Sequence, residues 1–143
     1  MKKLNIALVA HDGRKEELMS WVKFNADTLK RHNLYATGTT GRLIEQLTIE
    51  NEDGTVEYPF KGKVTKLFSG PLGGDQQIGA MVATEKVHFV VFLRDPLTSQ
   101  PHEPDINALL RLCDVHNIPL ATNRKSAHIM LKYVARKLED NQQ

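Results

Sequence analysis

The chain has 143 residues, of which 41% are apolar and 25% charged, and its formal charge is +2. This describes one globular domain spanning 1–143 and excludes a disordered chain or two separate cores. The small basic excess gives no ground for a nucleic-acid or membrane partner, and no apolar run approaches the roughly 18–20 residues of a spanning helix. The single cysteine, Cys113, excludes an internal disulfide framework and any multi-cysteine metal site. It sits in an apolar stretch and reads as a buried, inert thiol. Met1-Lys2-Lys3 runs straight into an apolar segment with no cleavage-like site, so the expected address is cytoplasmic.

Residues 4–10 form a short apolar run, the pattern of a strand buried on both faces. Residues 17–30 predict a helix with Leu18, Trp21, Val22 and Leu29 on its apolar stripe. A strand follows at 34–37, then a helix carrying Leu43, Ile44 and Leu47. Asp53-Gly54, with Val56, Tyr58 and Phe60 alternating behind it, predicts a small hairpin near 51–62, with Pro59 keeping its second strand at an edge. Strand 64–68, helix 75–86, strand 87–93, helix 105–116, strand 119–122 and helix 126–138 complete the chain. The alternation predicts a single-domain α/β fold. It is an open, doubly wound, Rossmann-like parallel sheet of about five strands with helices on both faces.

Polar clusters fall after every predicted strand, and in such a sheet those positions share one edge, where ligands bind. Thr37-Gly38-Thr39-Thr40-Gly41 leads into a helix and fits either a phosphate cradle or a simple threonine cap. Lys15 offers a charge for the same phosphate. Ser69-Gly70-Pro71-Leu72-Gly73-Gly74-Asp75 brings a glycine-rich loop close to some other group. Asp75, at a helix start, is either a cap or a general base. His11, Asp12, Asp95, His102 and Asp105 are further acid–base candidates, although Asp105 alone would also serve as a helix cap. His32, His88, His116 and His128 have no comparable setting. No two histidines have helical zinc-ligand spacing, so no metal is expected.

In order, the segments 6–12, 34–41, 69–80, 95–97, 101–105 and 118–123 resemble the methylglyoxal synthase family. The block Ser69-Gly70-Pro71-Leu72-Gly73-Gly74-Asp75-Gln76-Gln77 is the most specific of them. The resemblance implies conversion of dihydroxyacetone phosphate to methylglyoxal and inorganic phosphate, without cofactor or metal. It implies a homohexamer and a phosphate product that could also inhibit. It makes Asp75 the catalytic base, and gives Lys15, Thr37, Gly38, Thr39, Thr40, Ser69 and Gly70 to the phosphate. His11 and His102 would contact substrate, and Asp12, Asp95 and Asp105 would line the pocket. Two departures stand out. Residues 51–62 look like an insertion, and the tail ending at 139–143 holds no match for a basic residue that links neighbouring subunits in the family. A rival reading is an effector-binding module like that of carbamoyl-phosphate synthetase, which needs the cradle but not the acids.

Overall fold

The computed structural model describes residues 3–140; residues 1–2 and 141–143, the last of the tail considered above, lie outside it. Its core is a five-stranded, wholly parallel sheet. The strands are β1 (Asn5–Ala10), β2 (Asn33–Thr37), β5 (Val64–Leu67), β6 (Phe89–Leu93) and β7 (Leu120–Ala121), in the order β5-β2-β1-β6-β7. β1 lies between β2 and β6, with Ile6 opposite Leu34 on one side and Phe89 on the other. The chain winds outward from β1 to β5, then crosses back to β6 and winds out the other way. The reversal leaves a crevice at the carboxyl ends of β1 and β6.

The alternation of side chains along each strand divides the core into two layers. Ile6, Leu8, Phe89 and Val91 face one side, where helix α1 (Lys15–Phe24) brings Leu18, Trp21 and Val22, and α3 (Gly38–Glu45) brings Ile44. Short α2 (Ala26–Leu29) and long α6 (Arg124–Asp140) complete that layer. Ala7, Val9, Val90 and Phe92 face the other side, against α4 (Gly74–Ala83) and α5 (Glu103–Val115). Cys113 is buried there, and burial pushes its thiol up to about 11. Among the described residues no helix is long and apolar enough to cross a membrane.

Three details differ from expectation. The predicted helix over 17–30 is broken at Asn25, whose side-chain amide donates to the Trp21 carbonyl and ends α1. The hairpin is shorter than its hydrophobic alternation suggests: β3 (Ile49–Glu50) pairs antiparallel with β4 (Val56–Glu57). Its tip spans five residues rather than two, because Asp53 Oδ1 accepts from both the amide and the hydroxyl of Thr55. Pro59 falls beyond the strand. Val56 and Tyr58 are exposed, and Phe60 alone of the apolar trio is buried, locking the excursion into the first core layer. His32 and His88 have structural work: each accepts, on Nδ1, an amide N–H from the start of β1, of Leu4 and Asn5 respectively. Burial, then the charge of Arg31, holds His32 below its ordinary pKa.

Truncating Phe60 to alanine is expected to lower unfolding free energy by about 3–5 kcal/mol in urea denaturation. Val56→Ala, at a half-exposed site, should change it by less than about 0.5 kcal/mol.

Candidate active site

Loops following β1, β2, β5 and β6 enclose a cavity of about 300 Å³ at the carboxyl edge of the sheet. His11, Asp12, Lys15, Thr37, Gly38, Thr39, Thr40, Ser69, Gly70, Asp75 and His102 all line it. Four separate strand–helix connections therefore supply one site, as parallel topology requires.

Asp75 is the second residue of α4 and only 2% exposed. It does not cap the helix, because neither carboxylate oxygen has a hydrogen-bond partner among the described residues. Burial without donors disfavours the charged form and raises the pKa of Asp75; His102 opposes that shift and Asp105 adds to it. His102 Nε2 lies 3.4 Å from Asp75 Oδ2. Two glycines of the approach loop, Gly70 and Gly74, admit neighbouring protein atoms. A methyl group on Gly70 would sit 2.6 Å from His102 Nε2 and 3.2 Å from Asp75 Oδ2, and one on Gly74 would strike the Phe68 carbonyl.

The opposite wall is basic and rich in donors. Thr37 occupies the N-cap of α3 but makes no side-chain cap bond, which decides against the simple cap reading. The first turn of α3, Gly38-Thr39-Thr40, borders the cavity, where the positive end of the helix dipole favours an anion, although the Gly38 amide itself donates to the Phe68 carbonyl at 3.2 Å. Lys15 Nζ donates to Thr39 Oγ1 and to Asp12 Oδ1, each at 2.7 Å, tying the loop after β1 to that helix end. Asp12 itself sits at the mouth with its side chain 96% exposed, its carboxyl held below the usual range by the Lys15 hydrogen bond.

His11 joins the two walls. Its Nδ1 accepts the Asp95 backbone N–H at 2.9 Å, which assigns the ring proton of the neutral form to Nε2. That Nε2 is buried without a partner among the described residues. Burial lowers the pKa of His11, and the charge of His102 lowers it further; Glu103 and Asp95 pull the other way. At neutral pH His11 is thus an uncharged donor.

Two acids fall outside the cavity. Asp95 reaches His11 through its backbone, while its side chain accepts the Leu97 amide; the residue lines a neighbouring cavity with Arg14, Glu17 and Arg94. Asp105 is the third residue of α5, because that helix begins at Glu103, and it lies with Asp75 and Gln76 in a hollow between α4 and α5. It acts on Asp75 through its charge. Gln100 and Pro101 close one wall of the cavity; their only trace in the sequence is the run of prolines at 96, 101 and 104. Among the described residues no group of three or more His, Cys, Asp or Glu could hold a metal ion.

A raised folded-state pKa means that Asp75 favours the fold only below its ordinary value of 3.8, and that this contribution is lost as pH rises through the raised value. Asp75→Asn is therefore expected to raise the melting temperature at pH 7 by about 2–5 °C. The gain should shrink in thermal melts as pH falls toward 3.8.

The MGS-like domain model matches residues 17–122. The methylglyoxal synthase of Carboxydothermus hydrogenoformans is 53% identical over 129 residues, covering 90% of this chain and 97% of that protein. The methylglyoxal synthase of Brevibacillus brevis is 54% identical over 129 residues, covering 90% of this chain and 86% of that protein. The crystal structure of methylglyoxal synthase from Elizabethkingia anophelis superposes with a TM-score of 0.74 at 46% identity, covering 90% of this chain and 77% of that one. Shared sequence over nine-tenths of the chain, on the same parallel sheet, makes this chain a member of the methylglyoxal synthase family.

Proposed function

We propose that the chain converts dihydroxyacetone phosphate to methylglyoxal and inorganic phosphate, with Asp75 as base. The supporting observation is a buried carboxylate without a hydrogen bond among the described residues, sharing one small cavity with a cradle built from a helix N-terminus and a lysine. An effector module would need the cradle alone; an unpartnered buried carboxylate has no use in it and costs stability.

The chemistry selects the proton. Phosphate can leave only if the electron pair forms at the hydroxymethyl carbon, because the phosphate carbon is then allylic to the new double bond. Asp75 removes that proton, and desolvation strengthens it as a base at neutral pH. The carbonyl oxygen becomes an enediolate oxygen, and His11 Nε2–H and His102 are the donors near it. Collapse of the enediolate breaks the carbon–oxygen bond to phosphate as the hydroxyl of the former hydroxymethyl carbon becomes the aldehyde oxygen, and its proton leaves with the phosphate. Lys15, Thr37, Gly38, Thr39, Thr40, Ser69 and Gly70 hold the departing dianion. The enolate left behind takes one proton on its methylene carbon, replacing the one that Asp75 removed, to give methylglyoxal. Asp12 keeps Lys15 in place from the mouth, Asp95 orients His11 through its backbone, and Asp105 tunes Asp75 through its charge.

The same reading carries a homo-oligomer, hexameric by resemblance, and a cytoplasmic address. Leu72 and Leu97, on the two loops that form the cavity mouth, are 75% and 94% exposed, which supports their burial against another copy. Free phosphate fits the cradle and would compete with substrate.

Purified protein given dihydroxyacetone phosphate should release methylglyoxal and phosphate in equal amounts. Asp75→Asn should reduce both rates on the order of 10³-fold. Phosphate without methylglyoxal would sink the proposal. The pH profile of kcat/KM gives a second check of opposite signs. His102 lowers the pKa of Asp75 and Asp105 raises it. His102→Asn should therefore shift the acid limb to higher pH, and Asp105→Asn should shift it to lower pH.

A further inference from the structure

We propose that Arg14 is a positioning residue for this reaction, clamping the single peptide group that fixes the proton of His11. The Arg94 carbonyl and the Asp95 N–H belong to one peptide unit. Arg14 Nε donates to that carbonyl at 3.2 Å, and that N–H donates to His11 Nδ1 at 2.9 Å. The peptide is trans, so its two polar groups point in opposite directions, with the guanidinium on one side and the imidazole on the other. A cation donating to the carbonyl polarises the peptide and strengthens its N–H as a donor. Nδ1 is held as acceptor, and the proton stays on Nε2, which lies buried and unpartnered at the cavity.

The clamp is itself braced. The Arg14 amide donates to the His11 carbonyl at 2.8 Å, and the His11 amide donates to the Leu93 carbonyl at 3.1 Å. Arg14 Nη1 pairs with Glu17 Oε2 at 3.0 Å. This locks the loops after β1 and β6 together across the crevice at the switch point. His11 is also faced by the His102 ring at 6.1 Å, by the edge contact of Phe92 at 5.2 Å, and by the charges of Glu103, Arg94 and Asp95. Among the described residues, the hydrogen bond to Nδ1 comes from this peptide N–H. The inference rests on the proposed donor role of His11.

The test uses full-length enzyme with ¹⁵N-labelled histidine and four variants: Arg14→Met, Arg14→Lys, Glu17→Gln and His11→Gln. Arg14→Met should show mixed His11 tautomers by NMR and a kcat lowered about tenfold, the size of one charge-assisted hydrogen bond. Its KM should stay within about twofold, and its acid limb should move to higher pH, because His11 protonates more readily without the clamp. Arg14→Lys keeps a cationic donor and should recover part of both effects. Glu17→Gln removes the ion pair but not the clamp, and should match wild type in the His11 spectrum. A wild-type tautomer and pH profile in Arg14→Met would overturn the inference, as would equal losses in Arg14→Met and Glu17→Gln. Full activity in His11→Gln would instead overturn the donor role of His11, and the tautomer measurement would still decide the clamp.

Discussion

A buried carboxyl group with no hydrogen bond to either oxygen is among the most costly things a small domain can hold. Asp75 is such a group, and the surroundings are arranged around it. Gly70 and Gly74 lack side chains because a methyl at either would strike His102 or the Phe68 carbonyl. Their absence lets the loop after β5 pack close enough to seal Asp75 from water. The same desolvation that weakens the fold makes the carboxylate a usable base at neutral pH. Stability and reactivity are set here by one term of opposite sign.

Around that acid the site is divided by charge. One wall is cationic and dipolar, from Lys15 and the first turn of α3, and suits a phosphate. The other holds the base and the His102 imidazole. His11 stands between them, kept neutral by burial and kept in one tautomer by a backbone amide. A neutral donor can stabilise an oxygen anion without lowering the basicity of the neighbouring carboxylate, which a fixed cation there would do. The arrangement is held together by short bonds between loops rather than within them, such as Lys15 to Thr39 and Arg14 to the Arg94 carbonyl. Each spans loops that are distant in the chain but adjacent at the sheet edge.

Much of this was legible in the residues because local physics wrote it. The run Leu4-Asn5-Ile6-Ala7-Leu8-Val9-Ala10 is apolar on both faces because helices cover both faces. Strand–helix alternation forces right-handed parallel crossovers, and these gather the loop residues at one edge. The hairpin was overextended because Val56, Tyr58 and Phe60 alternate whether or not they pair; only the Asp53 turn and the seating of Phe60 decide where the ladder ends. The break at Asn25 is a side-chain to backbone bond that a hydrophobic stripe cannot report.

Residue order alone specifies the alternating architecture, the apolar strands, and which loops meet, because periodicity and glycine placement are local properties of the chain. It also marked Asp75, since an acid after three glycines is an unusual helix start. Tertiary structure alone decided which groups became reactive. Asp75, Asp95 and Asp105 are identical side chains; one is buried at the cavity, one accepts the Leu97 amide beside a neighbouring cavity, and one sits in the hollow between α4 and α5. Arg14 carries no signal at all until the fold lays it across the Arg94–Asp95 peptide. Burial, the presence of a donor and the field of a neighbouring charge depend on residues as many as 84 positions apart, and so exist only once the chain has folded.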